Sequence, residues 1–108
     1  MAPGMPPLPV KVQPTDAVLI AKLQARFSAE LPGLVQAITA AAHAADRPRA
    51  HERAHYLKNS ADFVGARVLG LACQALCTQA DSAPAEDLNA LATAITVAAR
   101  APFGPVSR

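Results

Sequence analysis

Residues Ala54–Ala66 read AHYLKNSADFVGA. On a helical wheel at about 100° per residue, the segment from Ala50 to Val64 divides into two faces. Ala50, Ala54, Leu57, Ala61 and Val64 share one side, the stripe that an amphipathic helix turns toward a core. His55 falls opposite them, with His51, Glu52, Lys58, Asn59 and Asp62 around it. The wheel therefore disfavours a core histidine and expects His55 mid-helix on a polar, exposed face. Arg53 fits less well: it falls near the core side, where it must snorkel or sit at an open helix end.

The same periodicity extends in both directions. Asp46 is an N-cap for this helix, with Pro48 in its first turn, and Gly65 ends it. Downstream, Leu69, Ala72, Cys73, Leu76 and Ala80 form the next stripe. Ser82 and Pro84 are expected to open a last helix, with Glu86 and Asp87 suited to the positive end of its dipole. Leu88, Leu91, Ile95 and Ala98 face inward, and Pro102, Gly104 and Pro105 stop it. Upstream, a helix starts at Thr15 or Asp16 and buries Ile20, Leu23, Phe27, Leu31, Leu34, Ile38 and Ala41. Pro32 and Gly33 interrupt that stripe, as a kink or as a break between a short helix and a longer one. No strand-like alternation and no repeat occurs. The expected fold is all-α: an antiparallel up-down four-helix bundle over residues 15–101, its first helix kinked or preceded by a short N-terminal helix. The arm at 1–14 holds five of the ten prolines and is expected to be flexible, as is the tail at 102–108.

At 108 residues this is one domain. Aromatics make up 4% and Trp is absent, so the core must be aliphatic and its Ala-rich helices closely packed. A net charge of +2 with no interleaved aromatics argues against nucleic acid. Arg47, Arg49 and Arg53 read as a solvated helix start. The N-terminus lacks the charged and apolar regions of a signal peptide. No apolar run reaches the ~18 residues of a membrane span; Leu34 to Ala45 is broken by Gln36, Thr39 and His43. The chain is expected to be cytoplasmic, complete and monomeric; the sequence leaves open whether it stands alone or is a piece of a longer protein. Cys73 and Cys77, four apart on one helix, are poorly placed to bridge each other and are expected to stay reduced.

A neutral imidazole is a good nucleophile near pH 7. Toward phosphorus it needs exposure and a positive neighbour, and Lys58 at i+3 lies on the same face. Such pairs also occur on inert solvated faces. Zinc is a second possibility, with His51 and His55 spaced four apart on one helix and Cys73 and Cys77 on another, although the wheel puts Cys73 in the core. His43 reads as a dipole partner at a helix C-terminus. Tyr56 and Phe63 flank the face, as peripheral packing or as an apolar rim for a partner helix.

The segment AHYLKNSADFVGARVLGLACQAL resembles the signature of histidine-containing phosphotransfer domains, roughly A-H-x-L-K-G-S-[SA]-x-x-x-G-A-x-x-L-x-x-x-C-x-x-L. Ala54, His55, Leu57, Lys58, Ser60, Ala61, Gly65, Ala66, Leu69, Cys73 and Leu76 match in register. Asp46 matches the family's acidic helix start, and Phe27 to Leu34 (FSAELPGL) is similar to its F-x-x-E-L-P-x-L segment. The resemblance spans about residues 16 to 100 and implies a phosphorelay intermediate. His55 would accept a phosphoryl group through Nε2 from a receiver-domain aspartate of a response regulator or hybrid sensor kinase, and pass it to another. Lys58 and Asn59 would support the phosphoryl group, while His51, Glu52, Asp62 and Cys77 would belong to the docking surface. The chain itself would be no enzyme and would hold no metal or other cofactor; the receiver would supply Mg²⁺. No phosphate-cradling glycine loop is present. Two positions depart from the pattern: Asn59 replaces the usual Gly, and Cys77 a frequent Glu or Gln. A bundle kept only for docking, with transfer lost, is the alternative these departures raise.

Overall fold

A computed structural model describes residues 14–103 of the chain. Four helices follow one another: α1 (Pro14–His43), α2 (Arg47–Val64), α3 (Arg67–Gln79) and α4 (Ala85–Ala99), with no strand among the described residues. Each helix packs on the next, and α4 closes back on α1. Gln24, in the first half of α1, donates from Nε2 to the carbonyl of Val64 at the end of α2 (3.1 Å). Arg47, at the start of α2, reaches the carbonyl of Ala80 just past α3 (2.8 Å). Both contacts require antiparallel neighbours, and the result is the expected all-α four-helix bundle.

The core is aliphatic. Ile38, Leu57, Leu69, Leu76, Leu88 and Ile95 are fully buried, and Phe27 is the one buried aromatic among the described residues. No polar or charged side chain is buried among them. Ala50, Ala54 and Ala61 are the α2 residues that meet the core beside Leu57. Methyl groups at such contacts bring helix axes toward the short end of the usual spacing of about 8–10 Å.

At Pro32 and Gly33, α1 neither breaks nor restarts: it is one helix of 30 residues. Pro32 has no N–H, so the carbonyl of Ser28 loses its helical donor, at a cost of about 3 kcal/mol in a helix interior. Phe27, Leu31, Val35 and Ile38 are buried on either side. Each such burial contributes about 1.5–3 kcal/mol, which outweighs the defect, and Pro32 itself faces solvent. The helix begins at Pro14, inside the expected arm, so Thr15 and Asp16 stand within its first turn rather than as caps. Proline suits a first helical position, where its missing N–H costs nothing.

Two members of the predicted α1 stripe change place. Val35 is buried while Leu34 packs against the core only partly buried, and Ile20 is exposed. Length explains the second: at 1.5 Å per residue α1 spans about 45 Å and the 18-residue α2 about 27 Å. With Gln24 level with the end of α2, the preceding turns overhang, and Val18, Leu19 and Ile20 stay exposed. Residues 1–13 and 104–108 of the expected arm and tail lie outside the described residues. Within the tail, the ring of Phe103 lies 6.3 Å from that of Phe27.

The turns follow their capping residues. Asp46 Oδ1 accepts from the Arg49 amide (3.3 Å), and Pro48 sits in the first turn. Gly65 closes α2 at φ +82°, with the Ala66 amide donating back to Ala61 (2.7 Å). Ala45 makes the equivalent turn after α1 at φ +55°, with the Asp46 amide donating to Ala41 (2.9 Å). Ser82 does not open α4: Pro84 occupies the N-cap without a side-chain bond, and Ser82 belongs to the turn through its own amide on Gln79 (3.1 Å). Glu86 and Asp87 stand in the first turn of α4. Arg53 is exposed, and Arg47, grouped by sequence with the solvated arginines, is half-buried through its bond to Ala80.

Candidate functional site

His55 stands at the middle of α2, exposed, between Ala54 and Leu57, which are fully buried. Burial of those two residues, with Ala50 and Ala61, fixes the rotation of the helix, and that rotation turns the imidazole outward. Two residues lie one turn away along the same face. The His51 ring is parallel to that of His55, with centroids 6.1 Å apart and planes within 4°. The Asn59 side chain brings Nδ2 to 3.3 Å from His55 Nε2.

Lys58 does not point at His55. Its Nζ donates to Asp62 Oδ2 at 2.9 Å, one turn further on. That hydrogen bond, and then the carboxylate's charge, raise the Lys58 pKa above its usual value. The carboxylate fits there because of α3: a Cβ on Gly70 would lie 2.6 Å from Asp62 Oδ1. Sequence reasoning did not single out Gly70. Its signal was a glycine inside an otherwise helical stripe, the mark of a close approach between elements.

Cys77, on α3, is half-buried with Sγ 3.8 Å from the His51 carbonyl. Burial pushes its thiol pKa up, and the charge of Lys58 pulls the other way. Cys73 is fully buried, and desolvation pushes its thiol up to about 12. Glu52 is exposed on α2. Tyr56 and Phe63 are exposed at 55% and 77% and line a groove of about 520 Å³ between α1 and α2, with Asn59 at its margin. Another groove, of about 680 Å³ between α1 and α4, contains none of the candidate site residues.

The structure therefore gathers His51, His55 and Asn59 along one face, with Cys77 behind His51, and joins Lys58 to Asp62 at its far end. The four candidate zinc ligands do not converge: His51 and His55 are exposed while Cys73 is in the core. No group of three or more His, Cys, Asp or Glu is placed to hold a metal among the described residues. No helix there is long and apolar enough to cross a membrane.

The family model of the Hpt domain matches residues 22–101. No curated protein and no solved structure matches the chain. The chain belongs to the Hpt domain family. Membership implies histidine phosphotransfer in two-component signalling, as a carrier of the phosphoryl group rather than a kinase.

Proposed function

We propose that the chain is a phosphorelay intermediate in which His55 carries the phosphoryl group between receiver domains. The observation that supports this most directly is the placement of His55: exposed at mid-helix, on the face opposite Ala54, Leu57 and Ala61, with open solvent where a partner's active site would close.

In the uptake step the lone pair on Nε2 attacks the phosphorus of an aspartyl phosphate, on a response regulator or on the receiver of a hybrid sensor kinase. The N–P bond forms in line as the P–O bond to the aspartate breaks, and the carboxylate leaves with the electron pair. Nδ1 keeps its proton throughout. The same bonds exchanged in reverse deliver the group to a second receiver. Lys58 offsets charge on the phosphoryl oxygens, and the Asn59 amide donates to one of them. His51, Glu52, Asp62 and Cys77 stand at the rim where a receiver docks. Mg²⁺ and the acidic pocket belong to the receiver.

The test mixes the full chain with a panel of phosphorylated receiver domains, beside a His55→Gln variant. Label is expected on the chain, stable to base, labile to acid and absent from His55→Gln. Receivers that bind the chain yet transfer no label to it would sink the relay reading and leave a docking module.

A further inference from the structure

The ion pair between Lys58 and Asp62 bears directly on the proposed chemistry, because it engages the one lysine of α2, three residues from the nucleophile. Lys58 is tied at 2.9 Å to a carboxylate on the side away from His55. A carboxylate and a phosphoryl group offer an ammonium the same thing, charged oxygen acceptors. Asp62 is thus an anion already in place where an incoming phosphoryl group must compete.

The competitor is held on two sides. Along α2 it sits at i+4 from Lys58, the spacing at which an ion pair forms. Across the bundle it rests over Gly70 of α3, with Oδ1 in space that any side chain at position 70 would take. The Lys58 side chain is 26% exposed and that of Asp62 52%, so the pair can open without disturbing the core.

Resting on the phosphorelay reading, we propose that Asp62 is a positioning residue that holds Lys58 away from His55, and that Gly70 is the notch that keeps Asp62 in that position. While the pair is closed, the site lacks a cation beside Nε2. When the phosphoryl group arrives, Lys58 exchanges the Asp62 oxygens for phosphoryl oxygens; no covalent bond changes in this exchange. The released carboxylate lies two turns from His55, about 10 Å along the axis, where its charge disfavours the phosphorylated form. Asp62 therefore slows uptake and shortens the life of the phosphohistidine, keeping the group ready to leave.

The test uses the full chain and potassium phosphoramidate, a small donor that phosphorylates imidazole without a protein partner, with ³¹P spectra following the N–P signal. Asp62→Asn is expected to be phosphorylated about two- to fivefold faster than the unaltered chain, the scale set by an exposed i,i+4 ion pair plus one nearby charge. Its phosphohistidine is expected to last longer by a similar factor. Gly70→Ala, which keeps the Asp62 charge but displaces its carboxylate, is expected to move the uptake rate in the same direction. The gap between Asp62→Asn and the unaltered chain is expected to narrow at 1 M salt, where the Debye length falls to about 3 Å. In a Lys58→Ala background most of the Asp62→Asn effect should vanish, which a purely structural role would not produce. Uptake on His55 with Asp62→Asn unchanged or slower, or an undiminished effect without Lys58, overturns this proposal alone. Absence of label on His55 in every variant, from phosphoramidate and from the receiver panel, overturns the relay reading together with it.

Discussion

The side-chain amide of Asn59 lies 3.3 Å from Nε2 of His55, one turn back along α2. With Nδ2 donating, Nε2 accepts and the ring proton resides on Nδ1, because the partner of one ring nitrogen sets the state of the other. That is the tautomer in which Nε2 has a free pair for phosphorus once the amide swings aside. Neutral His55 is expected as the Nδ1–H tautomer, shifting toward Nε2–H in Asn59→Ala. Long-range ¹H–¹⁵N spectra of the ring read this directly, and equal tautomer ratios in the two proteins would remove Asn59 from the role.

Arg47 joins the start of α2 to the end of α3 through a 2.8 Å bond to the Ala80 carbonyl. Arg49, two residues on, pairs only with exposed Asp46 at 3.5 Å. Arg47→Ala is expected to lower stability by about 1–2 kcal/mol, since a charged donor on a partly buried carbonyl contributes more than a neutral one. Arg49→Ala is expected to cost at most about 0.5 kcal/mol. Urea unfolding of the two variants checks the ranking; equal losses would contradict it.

Ala45 and Gly65 occupy the same left-handed turn, one closing α1 and the other α2. The Cβ of an L-residue in that conformation costs about 1–2 kcal/mol, partly offset by the greater unfolded-state freedom of glycine. Ala45→Gly is therefore expected to stabilise the bundle by about 0.5–1 kcal/mol. Gly65→Ala is expected to destabilise it by a similar amount, with no steric clash involved, since nothing lies within 4 Å of the added Cβ. Thermal melts of the pair should move in opposite directions.

Cys73 is held protonated by burial, its pKa pushed from 9.0 up to about 12. A raised pKa means the thiol's contribution is complete below about pH 9 and is lost as pH climbs toward about 12. Lys58, also raised, loses its own contribution in alkali, so the comparison that isolates the thiol is with Cys73→Ala. The difference in stability between the two proteins should shrink over that window. At pH 8 a thiol reagent should modify Cys77 slowly and Cys73 only on unfolding.

The α2 residues show what periodicity can and cannot reveal. Ala50, Ala54, Leu57 and Ala61 all have zero exposure, and their spacing alone identified the inner face and so the outward aim of His55. The wheel is silent about neighbours. It ranked Lys58 and Asp62 as two residues on one polar face, whereas the rotamers join them, and it gave Gly70 no role because that glycine matters only once α3 is laid against Asp62. Arg47 misled for the same reason: nothing local marks the Ala80 carbonyl, 33 positions away, as its partner. At Pro32, local stereochemistry left a kink or a break open, and long-range burial of Phe27, Leu31, Val35 and Ile38 carried the helix through. The motif from Ala54 onward supplied what physics alone did not, a reason to distinguish His55 from an inert exposed histidine.

The alanines behind His55 carry a consequence for sequence drift. The exposed side chains of Glu52, Tyr56 and Asn59 are not part of the core, so replacements there can retune what the helix meets while the bundle stays intact. Ala54 and Ala61, with zero exposure, have no such latitude: a larger side chain there would push α2 off its neighbours and carry the imidazole with it. Among relatives that keep the same chemistry, the strictest positions on this helix are thus expected to include these unreactive methyl groups, because they set the height and angle at which the histidine is offered.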